Sequence, residues 1–131
     1  MAAATRREHR IASDDIWGCA VKVVFRADAS TEIGTGHLMR CIALSQALKR
    51  RGTLSVFVTR TEGGALLERL RRDVSDIVLL DAAEVGTDAA FTASVARSRG
   101  AEWIVVDGYE FGSDYSRSLS ASGHRVLRID D

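Results

Sequence analysis

Gly34-Thr35-Gly36-His37 brings two glycines, a hydroxyl and an imidazole together just ahead of a stretch with helical spacing. Glycines lack a Cβ, so the backbone can turn tightly there and a ligand can approach the chain. A helix that starts at such a turn leaves its first amides without intrahelical acceptors. Their positive partial charge favours phosphate. His37 falls in the first turn of that helix. Imidazole titrates near neutrality, so it can take a proton from water as a general base. The alternative is a histidine that only caps or packs the turn.

Other polar groups fall where they could join this turn. Arg40, one helical turn on, suits either a phosphate or a structural pair with Asp28. Asp28 could contact a sugar hydroxyl or bond backbone amides in its loop. Asp107 and Tyr109 follow a predicted strand and offer an acceptor and a phenol, and Asp130-Asp131 stands after another. The glycine pattern is not a dinucleotide fingerprint, because Met39 takes the place of the third glycine and the next strand ends in Thr59-Arg60, without the expected acid. Nor does Gly-Lys-Ser or Gly-Lys-Thr follow, as a P-loop requires. NAD and ATP chemistry are disfavoured, and no cofactor is expected. Cys19 and Cys41 lack the spacing of a zinc site and the density of a disulfide scaffold, so no metal is expected and Cys41 reads as a buried thiol.

The elements that must position these residues alternate along the chain. Predicted strands cover Val21–Phe25, Leu54–Thr59, Ile77–Leu80, Trp103–Val106 and Val126–Ile129. Predicted helices cover His37–Arg51, Ala65–Arg72, Asp88–Arg99 and Asp114–Ser122. In the first of these, Leu38, Cys41, Leu44 and Leu48 recur at three- and four-residue intervals. Strands that are nearly continuous in Val, Ile and Leu suit burial on both faces of a parallel sheet. Alternation with right-handed crossovers then gives a doubly wound, Rossmann-like α/β domain, for which strand order 3-2-1-4-5 is the natural arrangement. Ligands of such sheets bind beyond the carboxyl ends of the strands, where the candidates above fall.

The chain has 131 residues, which suffices for one hydrophobic core but not for two. Lys plus Arg equals Asp plus Glu, at 18 each, so no global field draws it to nucleic acid or anionic lipid. Lys49-Arg50-Arg51 and Arg71-Arg72 sit where helices should end, and there cations suit the dipole. No apolar run approaches the ~20 residues of a membrane span. Residues 1–20 mix basic and acidic side chains without a signal-peptide core, and the chain reads as cytoplasmic with a disordered leader before a domain over 21–131.

Phe25-Arg26-Ala27-Asp28-Ala29-Ser30 followed by Ile33-Gly34-Thr35-Gly36-His37-Leu38-Met39-Arg40-Cys41 closely resembles the opening of the UDP-sugar hydrolases of pseudaminic acid (nonulosonate) biosynthesis. Val105-Val106-Asp107-Gly108-Tyr109 and Ile129-Asp130-Asp131 look like later motifs of that family, in the same order. The resemblance implies the amino-terminal half of a two-domain GT-B-type fold, with the ligand in the cleft between domains. It implies metal-independent hydrolysis of a UDP-linked diacetamido-trideoxy sugar at the anomeric C–O bond, with inversion and release of UDP. His37 would activate water, and the turn of Gly34, Thr35, Gly36 and His37 would stabilise the departing diphosphate. Asp28, Asp107 and Tyr109 would orient the sugar, and Arg26 and Arg40 would support the loop or the phosphates. The implied carboxy-terminal domain, which would hold most uridine contacts, does not fall within these residues; a separate partner could supply it. Two other readings use the same features: a glycosyltransferase, in which an acceptor hydroxyl replaces water, and a non-catalytic domain that binds a nucleotide-sugar.

Overall fold

The computed structural model describes residues 21–30, 34–60, 64–74, 76–80, 88–108 and 111–129. Residues 1–20, Tyr109 and Asp130-Asp131 lie outside the described residues. Strands β1 (Lys22–Ala27), β2 (Leu54–Thr59), β3 (Asp76–Leu79), β4 (Trp103–Asp107) and β5 (Arg125–Ile129) alternate with helices. These are α1 (Gly36–Lys49), α2 (Gly64–Asp73), α3 (Asp88–Arg99) and α4 (Ser113–Ala121). All strand pairs are parallel, in the order β3-β2-β1-β4-β5. The chain therefore forms the expected doubly wound, Rossmann-like sheet.

Alternation along the strands divides the core in two. Val23, Phe25 and Ala27 of β1, with Phe57 and Val105, pack against Leu38, Cys41 and Ile42 of α1 and Leu70 of α2. Phe25 and Phe57 face each other in the β1–β2 register and stack with centroids 4.9 Å apart. On the other face Val24, Val58, Ile104 and Val106 meet Ala93, Val95 and Ala96 of α3 and Leu119 of α4. Helix α1 ends where Gly52 adopts a φ of +87°, and the amides of Gly52 and Thr53 turn back onto the carbonyls of Lys49 and Leu48.

Boundaries shift where polar residues sit inside an element. β1 runs on to Ala27, because Arg26 pairs with Val58 in register and Ala27 with Asp107. An arginine and a small residue gave no apolar signal there. Burial on both faces holds for β1, β2 and β4 but not for the edge strands, where Leu79 is 50% and Leu127 46% exposed. An open apolar hollow lined by Val21, Leu48, Trp103 and Leu127 lies toward the amino ends of β1 and β4, and no titratable residue lines it. No helix among the described residues is long and apolar enough to cross a membrane.

Candidate active site

Asp107 closes β4 on the α1 face of the sheet, fully buried, and there it meets three residues of α1. His37, Arg40 and Cys41 stand at i, i+3 and i+4, so one face of the helix presents all three. His37 Nδ1 lies 2.7 Å from Asp107 Oδ1. Arg40 donates from Nε to Oδ2 at 2.5 Å and from Nη2 to Oδ1 at 2.7 Å. The Cys41 thiol lies 3.8 Å from Oδ2.

These contacts assign the histidine tautomer. A carboxylate only accepts, so Nδ1 carries the hydrogen and the lone pair of the neutral ring sits on Nε2. Arg40 Nη2 also approaches Nδ1, at 3.4 Å, but the shorter contact with the carboxylate governs. The His37 side chain is 10% exposed and that of Arg40 38%, so the cluster reaches the surface through the arginine. Burial, and then the negative charge of Asp107, push the Cys41 thiol well above its ordinary range. It stays protonated, and no thiolate nucleophile forms there.

The turn ahead of α1 has the geometry its glycines suggest. Gly34 adopts a φ of +80°, where a side chain would be strained, and exchanges backbone hydrogen bonds with Ser30 at 2.8 and 3.3 Å. Added Cβ atoms at Gly34 and Gly36 would meet nothing within 4 Å, so the turn faces open space. Thr35 is the N-cap residue, and its side chain makes no capping bond.

A second cluster occupies the opposite face of the sheet. Arg26 points from β1 among the α3-side core residues and is 0% exposed. It donates to both oxygens of Asp28, at 2.5 and 3.1 Å, and to both of Asp88, at 2.9 and 2.7 Å. Its guanidinium also lies 4.6 Å from the Phe111 ring centroid. Asp88 accepts from Tyr115 at 2.5 Å, Arg60 at 2.8 Å and Thr92 at 3.3 Å. Asp28 accepts the Arg60 backbone N–H at 2.7 Å. Burial alone would raise the Asp88 carboxyl, but bonds from Arg26, Tyr115 and Arg60 outweigh it and bring it down to about 2. Burial works against the charged guanidinium of Arg26, yet the two carboxylates hold it well above its usual value. Burial and the bond to Asp88 raise the Tyr115 phenol as well, so it remains a donor.

The predicted residues thus separate. His37, Arg40 and Asp107 come together beside the Gly34–Gly36 turn. Arg26 and Asp28 belong to the other cluster, and Tyr109 lies outside the described residues. Arg40 pairs with Asp107 rather than with Asp28, because α1 covers the face away from Arg26. Arg26 is enclosed and spends its donors within the protein, so it supports the loop and offers no group to a phosphate. Asp28 binds a backbone amide, that of Arg60 across the strand ends, in addition to Arg26. Asp88, Thr92 and Tyr115 were not singled out by sequence. Asp88 opens a helix and so looks like a dipole partner. The only hint of its role was a charged Arg26 in a buried strand, which demands an acid.

The fold and these clusters define a Rossmann-like α/β domain with charged groups gathered at the carboxyl edge of its sheet. No protein-family model and no curated protein matches the sequence. A glycosyltransferase from Rickettsia africae superposes on 84% of the chain with a TM-score of 0.61 and 13% identity, and the match spans 29% of that larger protein. The C-terminal domain of a hydrogenase from Pyrococcus furiosus superposes on 83% of the chain, and 91% of its own, with a TM-score of 0.57 and 13% identity. At such identities both likenesses establish the fold alone.

Proposed function

We propose that this chain is the sugar-facing, amino-terminal part of a GT-B-type hydrolase that acts on a UDP-linked diacetamido-trideoxy sugar in pseudaminic acid biosynthesis. The observation that carries the reading is the 2.7 Å contact between His37 Nδ1 and buried Asp107, beside an uncapped helix start. Nε2 of His37 takes a proton from water while the water oxygen bonds to the anomeric carbon. The C–O bond to the diphosphate breaks, and its electron pair leaves with UDP. Asp107 stabilises the imidazolium that forms. The first amides of α1 and the guanidinium of Arg40 meet the growing negative charge of the leaving group, where oriented dipoles act most strongly. Tyr109 and Asp28 orient the sugar, Asp28 through the loop it fixes.

Sugar transfer is the second reading, favoured by the likeness in fold to a glycosyltransferase. The same base would then deprotonate an acceptor hydroxyl. UDP release from the UDP-sugar, measured with and without acceptors, separates the two: release in water alone supports hydrolysis, and strict acceptor dependence supports transfer. His37→Asn should lower kcat by at least about a hundredfold while nucleotide-sugar binding persists. Unchanged turnover would remove His37 from the chemistry.

A further inference from the structure

Among the described residues, three arginines grip a carboxylate with the same edge of the guanidinium, the Nε and Nη2 pair. Arg26 grips Asp88 in this way at 2.9 and 2.7 Å, Arg40 grips Asp107 at 2.5 and 2.7 Å, and Arg99 grips Asp76 at 2.9 and 3.1 Å. Arg60 does not. It reaches Asp88 through Nη1 at 2.8 Å, while its Nε and Nη2 are buried with no hydrogen-bond partner among the described residues. Asp88 has nothing left to offer them, since Arg26, Tyr115 and Thr92 already occupy its two oxygens. Folded proteins satisfy nearly all buried donors, so an empty two-pronged fork calls for an acceptor from elsewhere.

The fork is also held in place. The Arg60 backbone N–H is fixed by Asp28 and its Nη1 by Asp88, so its orientation is set before any ligand arrives and little side-chain entropy remains to be lost. Arg26 and Arg60 balance Asp28 and Asp88 in charge, so the cluster does not repel an anion. Arg60 follows β2, at the same edge of the sheet as the Gly34–Gly36 turn but across β1 from Asp107. Its side chain is 18% exposed as a whole, although the two fork atoms themselves are buried.

We propose that the Nε–Nη2 fork of Arg60 binds two oxygens of a phosphoryl group in a ligand that lies across this edge from His37. A phosphoryl group offers paired oxygens that match the planar fork, as the carboxylates do for the other three arginines. The choice of a diphosphate rests on the function proposed above; the empty fork does not.

Inorganic pyrophosphate, titrated into the purified chain by calorimetry, is the direct probe. Wild type should bind it, and Arg60→Gln should weaken binding by about tenfold or more, as loss of one charge-assisted contact implies. Arg60→Lys keeps a cation near Asp88 but has no fork, and should weaken binding nearly as much. Equal affinity in wild type and both variants, or no binding by wild type, overturns the proposal. Should Arg60→Gln fail to fold, the Nε–H resonance of Arg60 decides: it should shift on saturation with pyrophosphate, and an unmoved resonance refutes the site. If pyrophosphate binds through Arg60 but no UDP-sugar is turned over, the proposed reaction fails and the anion site stands. If UDP-sugar turns over with a KM unaltered by Arg60→Lys, the reaction stands and the anion site fails.

Discussion

Two buried aspartates end up as hubs on opposite faces of the same sheet edge, and they are used differently. Asp88 is surrounded by permanent donors: Arg26 and Arg60, a phenol and a threonine hydroxyl. Its cluster ties the ends of β1 and β2 to the start of α3. Asp107 has a permanent cation in Arg40, but its other main partner is the imidazole of His37, a ring that can both give and take a proton. The residue beside the carboxylate, not the carboxylate itself, separates a clamp from a site that can move a proton.

The largest test of this contrast is Asp107→Asn. An amide in that place no longer requires Nδ1 to carry the proton, and it cannot stabilise an imidazolium. In comparable histidine–carboxylate pairs this change costs about 10⁴ in kcat. We expect a loss of at least about a thousandfold, with KM for the UDP-sugar changed far less. A KM effect without a kcat effect would place Asp107 with Asp88, as a structural hub. Arg26→Met probes the other side. It leaves Asp28 and Asp88 buried without their main cation, which should destabilise the fold by about 3–5 kcal/mol in urea unfolding. A loss below about 1 kcal/mol, within the range of exposed pairs, would show that the cluster is not a clamp.

A smaller effect appears in acid. The Asp88 carboxyl sits at about 2 in the folded protein, below its ordinary value of 3.8. The folded state therefore holds its proton less readily than the unfolded chain. The resulting stability is fully present above the unfolded value and is lost as pH falls through about 2. A shift of this size amounts to about 2 kcal/mol between pH 5 and pH 2. Asp88→Asn should flatten that part of the stability curve, and an unaltered acid slope would assign it to other carboxylates.

The sequence showed the fold far better than it showed the second cluster. Apolar runs and helical spacing follow directly from burial, so all five strands and all four helices fell close to where they form. The strand order is the natural one for a doubly wound domain of alternating strands and helices. His37 and Asp107 stood out because each falls at the carboxyl edge of the sheet, though nothing in sequence said they would touch. From sequence Arg40 suits a phosphate or Asp28, and its bond to Asp107 depends on which face α1 covers. Asp88 and Tyr115 lie 62 and 89 positions beyond Arg26 in the chain. Such pairings are set by packing α3 and α4 against β1, and no local pattern encodes them.

The smallest expected effect sharpens the contrast at Cys41. Its thiol lies on the α1 face, beside Asp107, where a reactive cysteine would complete a nucleophilic site with His37. Burial and the adjacent negative charge instead hold the proton on sulfur. Thiolate is the reacting form, so iodoacetamide at pH 8 should label Cys41 far more slowly than it labels a small free thiol. Cys41→Ala should leave kcat within about threefold of wild type, because the proposed chemistry uses water and not sulfur, though it should cost some packing. Rapid labelling that abolishes turnover, together with an inactive Cys41→Ala, would transfer the nucleophile from water to sulfur and make Asp107 the partner of a thiol–imidazole pair.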